Sequence, residues 1–247
     1  MFEFHNQMIF PVHAVPAAGP WPVSAERLTV KTPDAETLQG IHIPADEPDP
    51  SKTVILGFGG NAWNGQDVAE YLHQVFPEHD VVVFHYRGYK PSTGSPSADR
   101  LTADAPLAYD EAVRRLKPKR IIGVGFSIGT GIAAQLSASR KLDGLVLVTP
   151  FDSLKAVAQG MFPWLPIGPF FGPDIEAAAP LGAGQVPVAI IAGERDEIVA
   201  PERTDALRRQ VANLVFDKTI ARAGHNDIYA RSDFQEAMRA ALETVVG

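Results

Sequence analysis

The stretch that most constrains the fold of this chain is residues 120–140, RIIGVGFSIGTGIAAQLSASR. It opens with the apolar, β-branched residues Ile121, Ile122 and Val124, which predict a buried strand. At the sharp turn that follows, in the pentapeptide G-x-S-x-G of residues 125–129, we expect Ser127 to have a strained backbone and an exposed hydroxyl. A helix is predicted directly afterwards, because the next apolar residues recur at helical spacing: Ile128, Ile132, Ala133 and Leu136.

Strand-like and helix-like patterns alternate from residue 53 to the end of the chain. Such alternation predicts right-handed crossovers and a mostly parallel, twisted sheet with helices on both faces, an α/β fold in a single domain over residues 1–247. Eight strands are predicted: 27–31, 37–43, 53–58, 80–85, 121–124, 144–148, 188–192 and 213–220. Further helices are predicted at 66–76, 104–116, 201–211 and 232–245. Because active sites of such sheets gather where the parallel strands end, the polar residues that follow each apolar run are the candidates for function.

Composition excludes several classes of protein. The net charge of −7 argues against a nucleic-acid partner, since phosphate binding needs a basic surface. The absence of cysteine excludes disulfides and thiolate catalysis, and it fits a reducing compartment. The first 23 residues carry an early acid, Glu3, and apolar runs too short to span a bilayer, so we expect a cytoplasmic protein with no transmembrane segment.

A serine hydroxyl needs a general base, and histidine is the usual one. Of the seven histidines, His225 lies in a loop after the last predicted strand, in the sequence Ala-Gly-His-Asn-Asp of residues 223–227. His85 also ends a strand, but it lies in an aromatic run, and we expect a structural role for it. No histidine pair with a third carboxylate has metal-site spacing, so we expect no metal. The glycine turn 57–60 lacks G-x-G-x-x-G spacing, so we also expect no dinucleotide cofactor.

The acid that orients the histidine has several candidates. Asp196 follows the strand 188–192, and we expect it to point inward while Glu194 and Glu197 flank the same turn in solvent. Asp152, after the strand 144–148, remains an alternative acid, although it is also suited to a turn or to capping the following helix. Asp227 is expected to cap the last helix.

The three candidates occur along the chain in the order Ser127, Asp196, His225. With this order and a set of motifs, the sequence resembles the α/β-hydrolase family, in particular its small esterases and acyl-thioesterases. The matching motifs are Gly59-Gly60-Asn61-Ala62-Trp63-Asn64, the segment from Tyr86-Arg87-Gly88-Tyr89-Lys90 to Ser97, Gly125–Gly129 and Gly193–Pro201, within about residues 53–235. This sequence departs from the family at Gly59, where histidine is usual, and at Trp63 and Lys90, where glycine is frequent. The resemblance implies the α/β-hydrolase fold, with oxyanion-binding N–H groups on Asn61 and Ile128.

An irregular, proline-rich insert covers about residues 152–185, where α/β hydrolases carry a cap, and it looks short. Met161 and the aromatic residues of this insert have two interpretations: they line a substrate pocket, or they belong to a proline-stiffened surface cover whose aromatic side chains fill the core. The candidate substrate-binding residues are Trp63, Phe162 and Trp164. Tyr86 and Arg87 are expected to be structural.

We therefore expect a serine hydrolase that cleaves a small-molecule carboxylic ester or acyl thioester through an acyl-enzyme on Ser127. The preference for an ester over an amide comes mainly from the family resemblance. Two alternatives stay open: a serine aminopeptidase-type peptidase, and a catalytically silent binding protein with the same fold. A dehalogenase is excluded, because serine rather than aspartate occupies the turn.

Overall fold

The computed structural model describes residues 10–47, 49–161, 164 and 174–247. Phe162 and the other residues of the insert between 162 and 173, apart from Trp164, lie outside this description. Within it, eight strands form one sheet in the order β1-β2-β4-β3-β5-β6-β7-β8. The strand β2 pairs antiparallel with β1 and β4, and the remaining pairs are parallel. The strands are β1 Glu26–Lys31, β2 Thr37–Ile43, β3 Thr53–Phe58, β4 Asp80–Phe84, β5 Arg120–Phe126, β6 Gly144–Val148, β7 Val188–Gly193 and β8 Leu214–Ile220.

Helices cover both faces of this sheet, as the sequence predicts. On one face α2 and α3 pack against the sheet, and on the other face α1 and α7 do so. The described α-helices are α1 Gly65–Val75, α2 Ala98–Leu116, α3 Ile128–Ser137, α4 Leu154–Met161, α5 Ala178–Ala183, α6 Pro201–Arg208 and α7 Ser232–Val246. In the described part of the chain, no helix combines the length and the apolar character that crossing a membrane requires.

The continuous apolar runs are explained by burial on both faces. In β3, Val54 and Leu56 belong to the core under α2 and α3, whereas Ile55 belongs to the core under α1 and α7. In β6, Leu145 and Val146 divide in the same way. Because successive side chains of a strand point to opposite faces, such a central strand needs apolar residues at every position.

The largest error in the predicted boundaries concerns α2, which begins at Ala98 rather than at Asp104. Pro106, which lacks an N–H group and is favoured in the first turn of a helix, lies inside this one. Asp104, which sequence reasoning placed at the helix start, instead turns inward to a tertiary partner. Its carboxylate accepts two hydrogen bonds from Arg87, at 2.8 and 2.6 Å.

Arg87 joins three parts of the chain. Besides Asp104 on α2, its guanidinium binds Asp34 in the turn between β1 and β2, with a shortest N–O distance of 2.7 Å. Arg87 is 3% exposed, and the side chain of Asp104 is 10% exposed. The hydrogen bonds that Arg87 donates to Asp104 and Asp34 raise the pKa of Arg87, despite its burial. The hydrogen bond from Arg87 also holds the pKa of Asp34 at about 2. The arginine is therefore a structural tie, as the sequence predicts.

The substitution Arg87→Ala leaves the carboxylate of Asp104 buried without its ion pair, which should lower the free energy of unfolding by about 3–5 kcal/mol. Urea denaturation followed by circular dichroism measures this loss. Arg114→Ala is the matched control, because Arg114 pairs with Glu111 on the same helix while remaining 68% exposed. Equal urea midpoints for the two variants would contradict the assigned role of Arg87.

Candidate active site

Ser127 lies in a strained turn between β5 and α3. Its φ of 49° and ψ of −115° lie in a region that residues other than glycine rarely adopt. A Cβ on Gly125 would lie 2.5 Å from the carbonyl oxygen of Gly129, and a Cβ on Gly129 would lie 2.1 Å from that of Phe58. Both positions therefore require glycine for the turn to close. The N–H of Ser127 donates to the carbonyl oxygen of Val148 on β6, which fixes the turn to the sheet (2.9 Å).

The three side chains that the sequence singled out meet at the carboxyl end of the sheet. Ser127 Oγ lies 3.0 Å from His225 Nε2. His225 Nδ1 lies 2.7 and 2.9 Å from the two carboxylate oxygens of Asp196. His225 and Asp196 are 5% and 8% exposed, so both are largely shielded from water. The N–H groups of Ile198 and Val199 also donate to Asp196 Oδ1, at 2.9 and 2.7 Å, which stabilises a carboxylate at this position.

Glu194 and Glu197 flank Asp196 and are exposed, as expected, but both have partners. Glu194 Oε2 accepts from the N–H of Arg222 at 2.7 Å, and Glu197 Oε2 accepts from the N–H of His225 at 3.1 Å. The N–H of Arg195 in turn donates to the carbonyl oxygen of Ala223 (2.8 Å). Hydrogen bonds in both directions thus join the loop that carries Asp196 to the loop that carries His225.

Two predicted capping roles are wrong. Asp152 does not cap α4; Ser153 Oγ does so by accepting from the N–H of Ala156. Asp152 instead lies 3.3 Å from Arg203, and it is Asp196 whose carboxylate contacts His225. Asp227 does not cap α7, because its carboxylate accepts from the N–H of Gly224 (2.6 Å) inside the histidine loop.

His85 is buried, and its Nδ1 accepts from the N–H of Gly65 at the start of α1 (3.1 Å). Burial lowers the pKa of His85 to about 4, which keeps the ring neutral and able to accept at neutral pH. Its contacts therefore fit the structural role predicted for it. Among the residues that the structure describes, no three His, Asp or Glu side chains are grouped as metal ligands.

The two predicted oxyanion donors lie on either side of Ser127. Ile128 is the first residue of α3, where main-chain N–H groups have no partner within the helix. Asn61 lies in the turn Gly59–Ala62 that follows β3. A Cβ built on Gly60 would lie 3.8 Å from the Cβ of Ser127, so this turn lies beside the serine. Asn61, Ile128, Ser127 and His225 all line one cavity of about 440 Å³.

The rest of the described lining is largely apolar. Of the predicted substrate-binding residues, Trp63 contributes to it, Phe162 lies outside the described residues, and Trp164 is 74% exposed and does not contribute. Sequence reasoning suggested Met161 of the insert, which does line the cavity, and missed most of the other apolar lining residues. The missed residues are Phe151, Leu154, Val157, Ala158, Ile198, Val199 and Tyr229. Several of these residues follow a strand end or a catalytic candidate, and this position in the sequence could have indicated that they line the cavity.

Trp63 stands where the family often has glycine, and its ring packs into an aromatic cluster beside the serine. Its centroid lies 5.3 Å from those of Phe126 and Tyr229 and 5.7 Å from that of Tyr71. The Tyr71 hydroxyl donates to the carbonyl oxygen of Tyr229 at 3.1 Å. Burial raises the pKa of Tyr229, whose hydroxyl shares a hydrogen bond with Thr149. Trp63 and Tyr229 are the members of this cluster that line the cavity.

Comparison with known proteins agrees with this architecture. A family model described as the alpha/beta hydrolase fold matches residues 54–168. An uncharacterized protein of Mycobacterium tuberculosis is 32% identical over 225 residues, which cover 86% of this chain and 78% of that protein. A lysophosphatidylserine lipase of Danio rerio is 32% identical over 172 residues, 60% of this chain and 44% of the lipase. The solved structure of a Pyrococcus furiosus esterase superposes with a TM-score of 0.74 at 20% identity, covering 94% of this chain and 96% of the esterase.

An eight-stranded, mostly parallel sheet with a serine turn between strand and helix defines the α/β-hydrolase class of proteins. On the strength of these matches, the chain belongs to the α/β-hydrolase fold family.

The strain at Ser127 predicts an unusual order of stability for two variants. Ser127→Gly should be more stable to unfolding than Ser127→Ala by about 1–3 kcal/mol, because only glycine relieves the positive φ. Thermal and urea denaturation of both variants measure the difference. The control pair is Gln135→Gly and Gln135→Ala on the same helix, where ordinary helical geometry makes glycine the less stable choice. The same order at both positions would contradict the strain.

Proposed function

We propose that this protein is a serine hydrolase that cleaves a carboxylic ester or an acyl thioester through an acyl-enzyme on Ser127. The observation that carries the proposal is the chain of contacts from Ser127 Oγ to His225 Nε2 (3.0 Å) and from His225 Nδ1 to Asp196 (2.7 Å). Each distance lies within the hydrogen-bonding range that proton transfer requires. The esterase and the lipase among the similar proteins support hydrolysis as the class of reaction.

In the first half of the reaction, Ser127 Oγ attacks the carbonyl carbon of the substrate while His225 Nε2 takes the hydroxyl proton. Asp196 holds the ring so that Nε2 faces the serine, and its charge stabilises the imidazolium that forms. The N–H groups of Asn61 and Ile128 donate to the oxyanion of the tetrahedral intermediate. The intermediate collapses, the imidazolium gives its proton to the departing alkoxide or thiolate, and an acyl group remains on Ser127.

In the second half, His225 takes a proton from water, and the resulting hydroxide adds to the acyl carbon. The second tetrahedral intermediate has its oxyanion at the same two N–H groups. It collapses to release the carboxylic acid, and the proton held by His225 returns to Ser127 Oγ. Each half thus ends with His225 neutral, and the second half also restores the hydroxyl of Ser127.

The cavity supports an apolar acyl group as the part of the substrate that it binds. Among its described lining residues there is no Lys, Arg, Asp or Glu. A peptidase that trims N-terminal residues needs an acid to hold the free amine, so this lining favours an ester or a thioester over the peptidase alternative. The apolar wall from α4, with Leu154, Val157, Ala158 and Met161, suits a hydrocarbon chain.

The first test is covalent labelling with an alkyl fluorophosphonate, which reacts with activated serines. We expect one adduct per chain, located at Ser127 by intact mass and peptide mapping. His225→Ala should slow the labelling and the hydrolysis of p-nitrophenyl esters by about 10³-fold or more, because the serine loses its base.

Ser127→Ala is the control for the position of the adduct, and a thermal melt shows whether each variant is folded. A folded protein that neither labels nor hydrolyses any ester or thioester would overturn the proposal. The binding-protein alternative would then account for the cavity without catalysis.

The apolar wall that α4 contributes to the cavity gives a further prediction, about the length of acyl chain that the protein accepts. Ala158 is 5% exposed and lines the cavity from α4, so Ala158→Phe should fill part of it. Turnover of octanoyl esters should fall by roughly tenfold or more in kcat/KM, while acetyl esters change little. Ala103→Phe, on the exposed face of α2, is the matched control. An unchanged chain-length profile in Ala158→Phe would place the acyl group elsewhere.

A further inference from the structure

We propose that Tyr86 and Tyr89 are positioning residues that hold the oxyanion turn Gly59–Ala62 against Ser127 through their hydroxyl groups. The proposal rests on the function proposed above, because it assigns the two tyrosines a part in stabilising the same oxyanion. The two side chains lie outside the cavity lining, and no step of the proposed mechanism uses them directly.

The contacts of the two hydroxyls fall on neighbouring residues of the turn. The Tyr86 hydroxyl donates to the carbonyl oxygen of Gly59 at 2.8 Å. The Tyr89 hydroxyl donates to Asn61 Oδ1 at 2.7 Å and accepts from the N–H of Ala62 at 3.4 Å. The two rings pack edge to face with their centroids 5.7 Å apart. Together, the tyrosines contact the turn on both sides of Gly60, the residue beside Ser127.

The oxyanion turn needs contacts from other residues to fix it, because its own sequence restricts the backbone little. Gly59 and Gly60 have no side chain to restrict their backbone, and Ala62 adopts a positive φ of 58°, which alanine rarely does. An oxyanion donor is effective only when its N–H is fixed within about 3 Å of the developing charge. A small movement of Asn61 would therefore reduce the rate without removing any group that contacts the substrate.

The tyrosines are themselves held in a rigid segment. Tyr89 is 1% exposed, and Arg87 between the two tyrosines is tied to Asp34 and Asp104. The Ser92 hydroxyl donates to the carbonyl oxygen of His85 at 2.8 Å and accepts from the N–H of Gln39 on β2 at 2.9 Å. Burial raises the pKa of Tyr89 to about 12, so its hydroxyl keeps its proton throughout the working range of pH. The segment thus forms a fixed base from which both hydroxyls reach the turn.

The test uses Tyr89→Phe and Tyr86→Phe, which remove only the hydroxyls. Each should lower kcat/KM for a p-nitrophenyl ester by roughly tenfold, mainly in kcat, as expected when an interaction specific to the transition state weakens. The inhibition constant of an alkyl trifluoromethyl ketone, which forms a tetrahedral oxyanion on the serine, should rise by a similar factor. Tyr109→Phe is the control, because that hydroxyl donates to the carbonyl oxygen of Lys141, remote from the turn.

A double-mutant cycle distinguishes positioning from a general loss of stability. Asn61→Ala removes the acceptor of the Tyr89 hydroxyl but keeps the main-chain N–H, so it should reduce kcat/KM about as much as Tyr89→Phe does. Combining the two should add little, because both break the same hydrogen bond. If Tyr89→Phe does not fold, Tyr86→Phe and Asn61→Ala carry the test with the same two readouts.

Native activity with unchanged kcat and unchanged trifluoromethyl ketone affinity in the folded tyrosine variants would overturn the positioning role while leaving the proposed function intact. Strictly additive losses for Tyr89→Phe and Asn61→Ala would also overturn it for Tyr89. An absence of turnover and of serine labelling in the native protein itself would instead overturn the proposed function, so the two failures are distinguishable.

Discussion

The close contact between the first turn of α3 and the carboxyl end of β3 is the constraint on which the site depends. A Cβ at Gly129 would lie 2.1 Å from the carbonyl oxygen of Phe58 and 2.7 Å from that of Gly59, so only glycine permits this approach. The contact brings the N-terminus of α3 beside the turn that begins at Gly59. It therefore sets the distance between the strained serine and the main-chain groups of Gly60 and Asn61, whatever the surrounding loops do.

The sequence predicts the sheet well for a physical reason. A central strand buried on both faces needs an uninterrupted apolar run, and β3 and β6 match their predicted bounds. The prediction fails where a tertiary contact decides the outcome. Asp104 was predicted as the start of a helix, yet it lies inside α2, and its carboxylate pairs with Arg87 in the loop after β4. Asp227 looked like a helix cap, yet it closes its own loop on Gly224.

In the candidate site, too, the residues at strand ends could be predicted, whereas the contacts between loops could not. Ser127, Asp196 and His225 could be selected from sequence, because each lies after a parallel strand and such ends share one edge of the sheet. The hydrogen-bond partners of Glu194 and Glu197 could not be predicted from the sequence. Nothing local in the acid loop indicates that Glu197 accepts from the main chain of His225, since that pairing depends on how two distant loops pack. The lining residues on α4 were equally hidden, because the sequence of a short helix does not indicate which of its faces meets the cavity.

The polar half and the apolar half of the cavity are built from different parts of the fold, so substitutions can alter one half without the other. Its polar half is built on loops at strand ends, each held by side chains of a neighbouring loop: the glutamates hold the histidine loop, and Tyr86 and Tyr89 hold the oxyanion turn. Stabilising a developing charge requires such fixed dipoles. Much of its apolar half comes from α4, an eight-residue helix outside the sheet. Substitutions on α4 can therefore alter the shape of the cavity without moving Ser127, His225 or Asp196.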